Sequence, residues 1–267
     1  MNSSSGMKSL HQLLLLGGMA VAVTGSLCSC RTVKNVFAAT QVQPSGFLTH
    51  KTELRQDRKR SPFIGNWWSK NPKLLAAADR CRKIYIAPVV YDDIRADQTV
   101  VSRVEHTAGW RKRHLPELAQ YTHAAFEHAF RKSRQPRYAV VAAPAADALT
   151  LELSLLEWGP NTYTGLIVRE VVGLLTFEMG TGALLRNTRG YIAIEGRLVE
   201  PRSRQPVFEF ADKEYGKIVL LISLQDFRRS GQAHAAIQQW ASQLERLLRA
   251  KPGEKVKDSL PFTIVNF

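Results

Sequence analysis

From Leu149 to Leu155 every second residue is leucine. Leu149, Leu151, Leu153 and Leu155 alternate with Thr150, Glu152 and Ser154. Successive side chains of a strand point to opposite faces, so this period of two predicts a strand with one apolar face and one wet face. Such a strand needs partners beside it and an apolar layer over its dry face. The rest of the sequence offers both. Residues 83–91 read as a strand whose mid-run Pro88 places an edge or bulge there. Further strands are predicted at 137–143 and 191–199, and the turn at 201–206 returns the chain through 207–210 as a hairpin. Pro116 is expected to open a helix running to Lys132, with Leu118, Thr122, Ala125, Phe126, Ala129 and Phe130 forming its apolar stripe. A second helix runs from a Ser230 cap to Ala250, with Ala233, Ile237, Trp240, Leu244, Leu247 and Leu248 on one face. Residues 261–267 have the composition of one more strand. The order β-α-β-β-β-β-α predicts an α/β (α+β) fold, a single mixed sheet with amphipathic helices packed on it.

The first thirty residues have a different grammar. Lys8 and His11 precede an apolar run at 13–23, and Leu27-Cys28-Ser29-Cys30 closes the segment. The run is shorter than the ~20 apolar residues of a bilayer span, and Gly17, Gly18 and Gly25 interrupt it. It resembles a bacterial lipoprotein signal with a Leu-x-Ser-Cys lipobox. That resemblance implies cleavage before Cys30, acylation of Cys30, and lasting attachment through two or more chains. Arg31, where an Asp would retain the protein at the inner membrane, implies the outer membrane facing the periplasm. A plain secretory signal and an uncleaved anchor are the rival readings. The expected plan is a signal at 1–29, a flexible tether and N-terminal extension at 30–75, a domain at 76–250 and a tail at 251–267.

Charge matters in that compartment. The chain carries a formal net charge of +14, and Lys8 is the only charged residue in 1–29. Outside the cytoplasm the available polyanions are anionic lipid, lipopolysaccharide phosphates and wall polymers, so the expected partners are the membrane, another envelope protein or anionic lipid, with no nucleic acid. A merely soluble basic surface is the plain alternative. Of three cysteines, Cys28 leaves with the signal and Cys30 is acylated, which leaves Cys81 and no disulfide framework. Arg80, Arg82 and Lys83 are expected to lower its thiol pKa, although a buried spectator is the favoured reading.

No motif assigns a catalytic, cofactor or metal residue. There is no Gly-x-Ser-x-Gly elbow, no zinc spacing and no phosphate-binding Gly-x-x-x-x-Gly-Lys loop. His123 and His128 stand five apart, a poor pair of ligands for one helical face. Asp92, Asp93 and Asp97 read as a solvated loop or a cation site. Trp67-Trp68 reads as a plug at the edge of the core, with a ligand clamp or a membrane-interface pair as the alternatives. The segment 165–185 is apolar and glycine-punctuated. Leu166, Ile167, Val168, Val171, Leu174, Leu175 and Phe177 are its candidate partner or membrane contacts, with buried strands or a covering helix as the alternative.

Taken together, the lipobox, Ser45-Gly46-Phe47-Leu48, the 83–89 strand, the Ala145-Ala146-Asp147 approach to the leucine strand and the hairpin ending Val207-Phe208-Glu209-Phe210 resemble a family of bacterial lipoproteins. It is the family catalogued as domain of unknown function 3313, and the likeness covers most of residues 45–250. The family carries no established active site, so the resemblance implies no residue roles. The strand–helix–strand plan is more loosely similar to lipoproteins that assist envelope assembly or curli-type secretion, from which Arg189-Gly190 and the charged turn at 202–204 depart. The expectation is a lipid-anchored envelope protein that acts by binding, as a scaffold or accessory component. A hydrolase of an envelope polymer is the alternative.

Overall fold

The four alternating leucines sit at the centre of the molecule and are fully buried. A computed structural model describes residues 42–56, 61–96, 108–159, 191–215, 218–219, 231–251, 254–256 and 262–263. The leucines belong to β5 (Ala148–Gly159), the longest strand described. Before it come β1 (Gly65–Trp68), α1 (Pro72–Arg80), β2 (Lys83–Ile86), β3 (Arg95–Ala96), α2 (Ala108–Arg131) and β4 (Ala139–Val141). After it come β6 (Tyr191–Val199), β7 (Pro206–Tyr215), β8 (Ile218–Val219), α3 (Gly231–Arg249) and β9 (Phe262–Thr263).

One mixed sheet dominates, as expected. Its order is β1-β7-β6-β5-β2-β4, and β3 extends the β2 edge of β5. The pairs β1–β7, β7–β6 and β6–β5 are antiparallel, whereas β5–β2 and β2–β4 are parallel. Pro88 interrupts the β2 edge, as its missing N–H requires. The ladder stops at Ile86, touches β5 again where Val90 bridges Ser154, and resumes where Arg95 meets Glu157. A bulge between Leu155 and Glu157 resets the alternation, so Trp158 returns to the leucine face opposite Ile192. The β6–β7 hairpin turns through Arg204, whose φ of 59° is left-handed.

Helices α2 and α3 pack together on the leucine face, with Phe126, Phe130, Ile237, Trp240 and Leu244 buried against it. Tyr121 of α2 stacks on His234 of α3 at 3.8 Å. Two expectations are corrected. Helix α2 starts at Ala108 rather than at Pro116, which lies inside it. An internal proline removes its own bond to the preceding turn and crowds the carbonyl four residues back, yet the helix continues on both sides of Pro116. The polar face of β5 is not wet: Thr150 and Ser154 are buried, because a second layer covers that side. Asn71 caps α1 by accepting from the Lys73 and Leu74 amides. The Trp pair lies on β1 at the sheet edge, where Trp68 packs on Phe208 at 4.2 Å between ring centres. Among the described residues no helix is long and apolar enough to cross a membrane. Residues 1–41 lie outside the described residues.

Candidate functional site

The second face of the sheet is where charge is concentrated and buried. Alternation sends Glu152 and Glu157 of β5, Glu195 and Arg197 of β6, and Glu209 of β7 to the side away from α2 and α3. Glu195 and Glu209 have no solvent exposure at all. A buried carboxylate is costly unless hydrogen bonds replace its water. The replacement here comes from residues 43–55, which cross this face as a strap.

The strap engages each charged group in turn. Gln43 gives its carbonyl to Arg95 Nη2 at 2.6 Å, and Arg95 pairs with Glu157 at 2.8 Å. The Ser45 amide donates to Glu195 Oε2 at 3.0 Å, and the Ser45 hydroxyl donates to Glu195 Oε1. Burial pushes the Glu195 carboxyl above its ordinary pKa, against the lowering effect of those two bonds. The Phe47 carbonyl accepts from Arg197 Nη1 at 2.9 Å, while the Phe47 ring lies 4.6 Å from the same guanidinium. Arg197 Nε also donates to Glu152 at 2.6 Å. Thr49 and His50 then donate their amides to the two oxygens of Glu209 at 2.9 and 2.7 Å. The His50 ring stacks flat on Trp67 at 3.6 Å, and Arg55 pairs its backbone with Asn66 of β1. The strap therefore extends the sheet edge at one end and satisfies buried carboxylates along its length.

On the other face Asp212 accepts the Trp240 indole N–H at 2.8 Å, tying α3 to β7. At the hairpin, burial pushes Glu200 up, but bonds from Ser203 and the Arg202 amide outweigh it and hold the carboxyl below its usual range.

The residues singled out from sequence fall as follows. Cys30 and the 165–185 group (Leu166, Ile167, Val168, Val171, Leu174, Leu175 and Phe177) lie outside the described residues. His123 bonds the Ile86 carbonyl at 3.0 Å, and His114 bonds Glu117 at 2.9 Å on the helix surface. Asp92 and Asp93 are exposed. The expectation for the Cys81 thiol is reversed. Burial raises its pKa first, Glu200 and Asp147 add to that, and Arg202 and Arg80 do not compensate. Among the described residues no group of three or more His, Cys, Asp or Glu is placed to hold a metal. The strap and its carboxylates were not singled out from sequence. The one available signal was the presence of Glu195, Arg197 and Glu209 on one face of a hairpin with strong β propensity.

The family described as protein of unknown function (DUF3313) matches residues 43–244. No curated protein matches the chain. Among solved structures, the PelC dodecamer from Paraburkholderia phytofirmans is similar at a TM-score of 0.37 and 11% identity, over 67% of this chain and 96% of that one. A variant PelC dodecamer from the same organism is similar at 0.32 and 10%, over 62% and 88%. Likenesses of this size carry no argument about function.

Proposed function

The chain belongs to the DUF3313 family, and from that premise we propose that it is a lipid-anchored protein of the cell envelope that acts by binding, as a scaffold or accessory component of an envelope assembly. Acylation at Cys30 supplies the anchor, and the outer membrane facing the periplasm is the proposed site. The strap carries the reading. A tethered binding protein has to resist tension between its anchor and its domain. Here residues 43–55, within the expected tether and N-terminal extension at 30–75, are held to the sheet by amides on two fully buried carboxylates, by Arg197, and by backbone pairing at Arg55.

The test is acylation and fractionation of the native protein. Palmitate label is expected on the wild type and absent from Cys30→Ser, with the wild type in the outer-membrane fraction. Mass spectrometry showing an unmodified Cys30, or recovery of the wild type with cytosolic proteins, overturns the proposal.

A further inference from the structure

The carboxylates on the strap's side of the sheet are satisfied in two different ways. Glu152 bonds Arg197, and Glu157 lies between Arg95 and Lys213, so each of these has a cation. Glu195 and Glu209 are fully buried. Among the described residues, the hydrogen bonds that reach them come from the strap: from Ser45 on Glu195, and from the Thr49 and His50 amides on Glu209.

Over Glu195 the strap makes one tight turn. The Ser45 amide and hydroxyl both donate to the carboxyl, and the Phe47 amide donates back to the Ser45 hydroxyl oxygen at 3.0 Å. Each side of the turn is tied to the sheet by a carbonyl on a cation, Gln43 on Arg95 at 2.6 Å and Phe47 on Arg197 at 2.9 Å. The buried Leu48 and the two amides on Glu209 fix the chain beyond. The cover itself is thin. Gly46 is exposed, and Ser45 and Phe47 are half-buried, over a carboxyl with no exposure. Ser154 and Ala211 stand opposite Glu195 on the flanking strands, and neither carries a charge.

We infer that the Ser45–Phe47 turn is a proton-dependent latch, closed over Glu195 while that carboxyl is protonated and loosened when it ionises. The cause is the dry site. An ionised carboxyl is deprived of water under the turn and regains it when the turn lifts, whereas the neutral acid loses far less. Ionisation therefore favours the open turn, and opening releases one proton to water. The two Ser45 donors act the other way, because they prefer the anion. Burial is the larger effect, and it holds the closed carboxyl above its ordinary range. Of the nearby charges, Arg95 favours the anion and Asp93 opposes it. Glu152, Glu157, Arg197 and Lys213 on the same face are paired with one another or with Arg95, and the His50 ring lies against Glu209 and Trp67. The open carboxyl titrates near about 4.3 and the closed one higher. The opening constant should rise between those two values by up to about tenfold per pH unit and level off above them.

The experiment follows amide exchange of the full chain in detergent from about pH 4 to about pH 8, each rate divided by its intrinsic rate at that pH. Protection at Ser45 and Phe47 is expected to fall across the window, while residues 148–159 of β5 keep theirs. Glu195→Gln retains an acceptor for the Ser45 amide and cannot ionise, so its protection at the turn should be high and flat. His50→Gln should keep the wild-type slope. Protection of 148–159 equal to the wild type shows that each variant is folded, and the wild-type profile tests the latch without any variant. A flat wild-type profile at Ser45 and Phe47, a slope that survives Glu195→Gln, or an equal slope in β5 overturns the inference. Loss of the slope in His50→Gln would place the titrating group at Glu209 and overturn it as well.

Discussion

Replacing Glu209 with alanine removes the acceptor for two backbone amides of the strap at once. Thr49 and His50 lie 2.9 and 2.7 Å from its two oxygens, and the His50 ring nitrogen lies 3.4 Å away. A hydrogen bond to a charged group contributes about 1.5–3 kcal/mol, so losing two sets a gross cost of about 3–6 kcal/mol. The realised cost is smaller, because a detached strap lets its amides bond to water. Local opening should therefore become easier by about 3 kcal/mol, which is about 100-fold faster hydrogen exchange at Thr49 and His50. Exchange measured on peptides covering 43–56 and 148–159 reads strap and central strand separately. The strap peptide should lose protection while β5 keeps it. Glu209→Gln, which keeps one acceptor oxygen, should fall between the two. Unchanged exchange in 43–56, or equal loss in β5, refutes the idea that buried carboxylates hold the strap as a separable unit.

Three further outcomes are expected. Burial raises the Glu195 carboxyl in the folded state, so its contribution to stability is complete below the unfolded value near about 4.3 and is lost as pH rises through the folded one. Glu195→Gln should therefore gain on the wild type as pH rises from the unfolded value through the raised folded one in denaturant titrations, and a pH-independent difference would contradict this. A Cβ at Gly196 would sit 2.5 Å from the Phe210 ring and 2.8 Å from Leu153, so Gly196→Ala should cost about 1–3 kcal/mol and lower the melting temperature by about 2–10 °C. An unshifted melt would show that the Phe210 ring moves freely. With Cys28 and Cys30 changed to serine, Cys81 should react slowly with a disulfide reagent until denaturant is added, given its burial and raised pKa; rapid native labelling would show an accessible thiolate.

The parts of the fold read from sequence are those in which one local period decides the outcome. Alternating leucines can only satisfy their environment as a strand, and the stripe from Ala233 to Leu248 can only bury one face as a helix. The hairpin was legible because Pro201 and Pro206 frame its turn. Pro116 misled because a proline at a helix start and one inside a helix carry the same local signal, and packing of the preceding turn chooses between them. Cys81 is buried, as its favoured reading held, but the lowered pKa expected from its cationic neighbours is reversed, because sequence neighbours say nothing of the desolvation that raises it.

Sequence by itself determined the alternating and amphipathic elements, the single mixed sheet and the excess of positive charge, since each follows from residue order over a few turns or from composition. Tertiary structure alone decided which carboxylates go dry and which segment satisfies them. Ser45 and Glu195 are 150 positions apart, as are Phe47 and Arg197. No local pattern encodes a pairing over that separation, because it arises only when the hairpin and the strap are laid on the same face of the sheet.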